Sequence, residues 1–123
     1  MNNIARNFLL VGIVSLLVGM AWGIQMSASG DHGLSAAHAH LNLIGFVVMS
    51  IAAIYYRLTP AATGTMATVH FVTAVLGVVT IVPGIVMAVS GSGETLAKIG
   101  SVLTILSVVM FASIVWKHGF GSN

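Results

Sequence analysis

Four long apolar stretches, separated by short polar segments, dominate the pattern along this chain of 123 residues. They cover residues 8–26, 36–58, 66–89 and 96–116, and each is close to the ~20 residues that a helix needs to cross about 30 Å of hydrocarbon. The short segments between them are rich in Gly, Ser, Thr and Pro, which favour turns. The pattern predicts an all-α fold, a single four-helix transmembrane domain over residues 1–123 that runs up-down-up-down.

The first apolar stretch also allows a second interpretation. Arg6 precedes it and the small residues Ser27 and Ala28 follow it, as in a secretory signal peptide. The apolar core of a signal peptide is shorter, about 7–15 residues. We therefore interpret the stretch as a retained first span.

Composition supports a membrane protein. Hydrophobic residues make up 58% of the chain, which has only four basic and two acidic side chains, too few for the surface of a soluble domain. The main predicted partner is therefore the lipid bilayer. The basic residues are scattered, so they give no sign of nucleic-acid binding. The chain has no cysteine, which excludes disulfides, thiolate metal sites and c-type haem attachment.

The basic residues also predict an orientation. Arg6, Arg57 and Lys117 fall on the side of the two termini, whereas Lys98 falls on the opposite side. The positive-inside rule then places both termini in the cytoplasm, in a membrane of the bacterial inner-membrane type.

Polar side chains cluster in residues 37–45 (AHAHLNLIG), at the start of the second span. Polar groups inside a membrane are costly and are usually functional. In an α-helix His38 and His40 are about 200° apart, so they leave the helix on nearly opposite faces. Asn42 and Gly45 follow His38 by four and seven residues and share its face, whereas the face of His40 is continued by Ile44, Val47 and Ile51.

This cluster has three interpretations. Both histidines could bind water or backbone near the headgroups. They could chelate one copper or zinc ion, which the opposite faces disfavour, or each could bind a different centre, haem iron included. Asn42 could contact a cofactor edge or an imidazole N–H, or form an interhelical hydrogen bond. Gly45 could make room for something large and flat. Lys98 could pair with a haem propionate or extend to the membrane surface.

The sequence offers few residues for other kinds of catalysis. The acids Asp31 and Glu94 both lie in the predicted outer loops, and the chain has no phosphate-binding glycine loop and no serine nucleophile motif. Hydrolysis and phosphoryl transfer are therefore excluded, and any enzyme activity would be that of an oxidoreductase. For His70, early in the third span, we predict a structural or proton-relay role.

Small residues recur along the first span at Gly12, Ser15, Gly19 and Gly23. Such a face lets helices approach closely in lipid. It could pack against another copy of the chain or, within the chain, against the fourth span. A second span with polar groups on opposite faces also needs protein or a cofactor on both sides, which favours an oligomer.

The histidine cluster, the YYRLTP ending of the second span at residues 55–60 and the following Val69, His70 and Phe71 together resemble helices ten and eleven of the catalytic subunit of haem–copper oxidases. The chain is still more similar to small four-span relatives of that subunit. The resemblance implies that His38 and His40 are both axial haem ligands. The chain lacks the copper-binding histidine pair, the cross-linked tyrosine and eight of the twelve helices of the oxidase, so reduction of oxygen to water is not implied.

The oxidase subunit consists of three four-helix arcs around a pseudo-threefold axis. By this resemblance, a homotrimer would bring His38 of one copy and His40 of the next to a haem b at each interface. We therefore predict a haem-binding protein of electron transfer or of redox or gas sensing, with an unidentified redox partner. The alternatives are a protein that binds or delivers copper or zinc, and an accessory subunit without a cofactor.

Overall fold

The computed structural model describes residues 3–121, and within this range it consists of helices, turns and short connections, without strands. The four long helices are α1 (Asn3–Ser29), α2 (Ser35–Leu58), α3 (Thr65–Val89) and α4 (Thr95–His118). A short 3₁₀ turn, Pro60–Ala62, lies between α2 and α3. Each long helix is long and apolar enough to cross a membrane. The all-α prediction with four apolar helices is confirmed.

The helices extend beyond the apolar stretches that predict them. Helix α1, for example, begins at Asn3 rather than Phe8 and ends at Ser29 rather than Met26. Backbone hydrogen bonding does not require apolar side chains, so a helix continues into the headgroup region until a residue breaks it. Gly30, with φ of +72°, follows α1, and Gly119, also with φ of +72°, follows α4. Glycine adopts this left-handed conformation without steric cost, which ends both helices.

The small face of α1 packs against α2. A Cβ on Gly12 would lie 3.1 Å from Ser50 Oγ, and Gly45 of α2 lies against Ser15. Farther along α1, Gly19 faces Asn42 and Gly23 faces His38. Residue numbers thus rise along α1 as they fall along α2. We predicted that, within the chain, this face could pack against the fourth span. That prediction is wrong, because the partners of this face are polar and small residues of α2.

Helices α3 and α4 approach each other more closely still. A Cβ on Gly84 would lie 2.5 Å from the backbone nitrogen of Ala97, and a Cβ on Gly100 would lie 2.5 Å from the backbone of Ile81. A Cβ on Gly77 would lie 3.0 Å from Thr104 Oγ1 and 3.3 Å from its backbone nitrogen, a looser approach. Backbone contact of this kind maximises dispersion attraction between helices in lipid, where the hydrophobic effect does not drive their association. Pro83 lies within α3, which continues to Val89.

An aromatic cluster joins the helices near the start of α1 and the end of α2. Phe8 and Tyr56 are fully buried, and Tyr56 Oη lies 2.8 Å from His70 Nδ1 of α3. The rings of Phe8, Phe71 and Phe111 complete the cluster. Beside it, Tyr55 Oη donates to the carbonyl of Gly119 at 2.8 Å. His70 is therefore buried in a contact between α2 and α3.

Much of the outer surface is apolar. Large side chains on every long helix are exposed, with Leu17 at 62%, Ile51 at 53%, Val79 at 55% and Ile105 at 64%. Soluble monomers rarely expose apolar patches on this scale. Lipid, or other copies of the chain, must cover these faces.

Candidate functional site

His38 lies against α1. The ring is half-buried, and a Cβ on Gly23 would lie 3.3 Å from its Cε1. The indole of Trp22 meets the imidazole edge-on, with centroids 6.1 Å apart and planes at 85°. A glycine on the facing helix is what leaves room for this ring, since any larger residue at position 23 would press on it.

Asn42 is one turn farther along α2 and contacts His38. Its Nδ2 lies 3.3 Å from His38 Nε2. In this arrangement the amide donates and Nε2 accepts, so a neutral His38 carries its proton on Nδ1. That Nδ1 and the Oδ1 of Asn42 are both buried without a hydrogen-bond partner. Unpaired buried polar atoms cost about 1–3 kcal/mol each, which marks this pair as a site where a ligand or a change of side-chain rotamer would lower the free energy.

His40, unlike His38, forms its hydrogen bond with the backbone of its own helix. Its Nδ1 lies 2.7 Å from the carbonyl oxygen of Ala36, in the preceding turn of the same helix. A carbonyl only accepts, so Nδ1 carries the proton and Nε2 carries the lone pair. The ring is half-buried. Because residues 35–40 are regular α-helix, His40 projects from the side of α2 opposite to His38 and away from α1.

This hydrogen bond of His40 is of a kind that metal-bound histidines make. A ligating imidazole almost always donates its second N–H to a carbonyl or carboxylate, which fixes the tautomer and the ring orientation. Ala36 supplies that carbonyl. His40 thus presents a fixed Nε2 lone pair to whatever lies beside α2.

Wide helical turns follow directly after His40. Residues Leu41–Val48 form a π-helix, after which Met49–Leu58 is α-helical again. In an α-helix, two residues four positions apart differ in direction by about 40° around the helix axis. A wider turn holds more residues and rotates the fourth residue back. The π segment thereby helps to keep Asn42 and Ser50 against α1. Nothing in the residue types of this stretch indicated a π segment, which is frequent at functional sites.

The remaining predicted site residues have partners of their own. The space beside Gly45 is filled by Ser15, since a Cβ there would lie 2.7 Å from Ser15 Oγ. Lys98 Nζ lies 3.5 Å from Glu94 Oε2, with both side chains more than two-thirds exposed. Within one chain the structure therefore joins His38 with Asn42, and it does not bring Gly45 or Lys98 to either histidine.

An apolar groove of about 560 Å³ separates α1 from α3. Its walls include Val14, Trp22, Val79 and Pro83, and Leu41, the neighbour of His40, lines it from α2. No lining side chain is a histidine or another strong metal ligand. The groove could hold apolar groups but could not by itself anchor an iron atom.

The donor set of one chain can be compared with what haem and a bare metal ion require. No group of three or more His, Cys, Asp or Glu side chains is assembled within residues 3–121, whereas a protein zinc site takes three or four such donors. In haem the macrocycle fills four coordination positions, and the protein supplies one or two axial ligands. A single imidazole with a fixed tautomer, such as His40, meets that need. Comparisons of the chain with protein-family models, with curated proteins and with solved structures found no match.

Proposed function

We propose that this protein is a haem b-binding, multi-pass membrane protein related to the catalytic subunit of haem–copper oxidases. The observation that carries the proposal is the hydrogen bond from His40 Nδ1 to Ala36, which leaves Nε2 as the nitrogen that would hold the iron. Val47 and Ile51, predicted on the face of His40, are 40% and 53% exposed. They offer an apolar surface to a macrocycle.

His38 of a neighbouring copy would supply the second ligand to the iron. Within its own chain His38 is held by one long hydrogen bond to Asn42. Turning the ring to free Nε2 breaks an interaction worth about 0.5–1.5 kcal/mol, which coordination to iron would offset. Since the two histidines leave α2 on opposite sides, each copy serves two neighbours, and three copies close a ring with three equivalent sites. With Nε2 turned away, the Oδ1 of Asn42 would accept from Nδ1–H of His38, two atoms that have no hydrogen-bond partner in the single chain.

Bound haem supplies a one-electron redox centre. Two axial imidazoles leave no open position on the iron, so the chain favours electron transfer over oxygen chemistry, with redox or gas sensing if one ligand can leave. The four helices run up-down-up-down, with both termini in the cytoplasm of a bacterial-type cell. His38 and His40 then lie near the outer face, and Lys98 would have to exchange its pairing with Glu94 for an anionic group of the cofactor.

The test is an absorption spectrum of detergent-purified protein that was expressed with ample haem. We expect a Soret band and, after reduction with dithionite, separate α and β bands of a low-spin centre, with one haem per chain. Metal analysis of the same sample is the control. A colourless protein that holds stoichiometric copper or zinc would establish the metal-binding alternative, and a colourless, metal-free protein would establish the accessory-subunit alternative.

A further inference from the structure

The end of the bundle that carries the chain termini contains a second cleft, away from His38 and His40. It lies between the start of α1 and the end of α2 and has a volume of about 510 Å³. Two arginines and five apolar residues form it: Ala5, Arg6, Leu9, Ala53, Ile54, Arg57 and Leu58. This volume is within the range of about 300–1,000 Å³ that is common for small-molecule sites.

The cleft exists because its floor is made of small side chains. Ala5 and Ala53 are 7% and 4% exposed and lie where the two helices meet. The longer side chains of Leu9, Ile54 and Leu58 are 42–57% exposed and stand around it. In a membrane such an apolar slot at a helix end faces the acyl-chain region.

The two arginines give the mouth of the cleft a strong positive charge. Neither guanidinium forms an ion pair with a carboxylate among residues 3–121. The two acids of the chain, Asp31 and Glu94, belong to the connections at the other end of α1 and α4, and Glu94 already pairs with Lys98. Because guanidinium does not lose its proton in proteins, this pair of charges presents a permanent positive site to an anion at the mouth of the cleft.

We propose that this cleft binds an anionic glycerophospholipid, with its phosphate between Arg6 and Arg57 and an acyl chain along the apolar slot. A guanidinium recognises phosphate oxygens through two parallel hydrogen bonds, and basic pockets between membrane helices at the cytoplasmic surface suit anionic headgroups. The slot selects a lipid over a free phosphate ion, since only a lipid carries the apolar chain that fills it. The lipid would also clamp α1 to α2 at the end opposite to His38.

The test measures lipid binding to the full chain by native mass spectrometry, after exchange into detergent and titration with phosphatidylglycerol. We expect one tightly bound lipid per chain. Arg6→Gln and Arg57→Gln should each weaken binding by roughly fivefold, since a basic residue near an anionic surface contributes about 1 kcal/mol. The double variant should weaken it by roughly 25-fold.

Lys117→Gln is the matched control. Lys117 lies in the last turn of α4, near Gly119, whose carbonyl accepts from Tyr55 of α2. It is therefore at the same end of the bundle but outside the cleft. The control should leave phosphatidylglycerol binding within twofold of the unsubstituted protein, and all variants should keep their helical circular dichroism. An equal loss in the control, equal binding of phosphatidylcholine, or equally tight binding of inorganic phosphate would each overturn the proposal.

Discussion

His40→Ala is expected to remove the low-spin haem spectrum and to lower haem affinity by at least about 100-fold. Loss of groups that merely orient a ligand costs roughly 10–100-fold in metal affinity, and His40 is here the ligand itself. Its Nδ1 is held by the carbonyl of Ala36 and only Nε2 is free to coordinate. Removing the ring therefore removes the coordinating nitrogen itself. The measurement is the haem-to-protein ratio together with the reduced spectrum.

His32→Ala is the matched control for this substitution. His32 is an exposed residue of the connection between α1 and α2, close in sequence but outside the helix that carries the proposed ligands. It should keep the spectrum and haem content of the unsubstituted protein. Should His40→Ala retain separate α and β bands at full haem content, His40 is not an axial ligand.

Gly100→Leu is expected to have the largest effect on folding. Even a Cβ at this position would lie 2.5 Å from both Cα and N of Ile81, and backbone atoms cannot turn aside as a side chain can. Overpacking in a well-packed core typically costs about 1–3 kcal/mol, so Gly100→Ala should lower the free energy of unfolding by about that amount. The leucine variant should separate α3 from α4 and leave little folded protein.

Unfolding in detergent, followed by circular dichroism or by loss of the monodisperse chromatographic peak, measures this effect. Ala112→Leu is the control, because Ala112 is an exposed residue of the same helix and its enlargement adds only lipid-facing surface. A Gly100→Leu protein as stable as Ala112→Leu would contradict the close backbone packing of α3 on α4.

The helices could be predicted from the sequence because the bilayer imposes their length. Four apolar stretches of about 20 residues and glycines such as Gly30 after them are local signals. The contact of His38 with Asn42 was also predictable, since residues four apart in a helix are neighbours. These features depend on one helix at a time.

The remaining features depend on pairs of helices. The small face of α1 predicts a close approach, but only the three-dimensional packing identifies α2 as its partner. Tyr56 and His70 are fourteen residues apart on different helices, and no periodic pattern joins them. The cleft of Arg6 and Arg57 also depends on a pair of helices, because it forms where the start of α1 meets the end of α2. The π segment after His40 had no signal in its residue types.

The central claim is that each haem is shared between copies of the chain. The most direct test is to mix two variants, each of which lacks one of the two histidines. His38→Ala and His40→Ala chains carry different affinity tags, are co-expressed with ample haem, and are purified through both tags in succession. Any mixed three-membered ring keeps one interface at which an intact His38 meets an intact His40. We predict that each variant alone lacks the low-spin spectrum and that the mixed assembly regains it at one haem per three chains. A mixed assembly without low-spin haem, or a His38→Ala protein that retains it alone, would contradict the account.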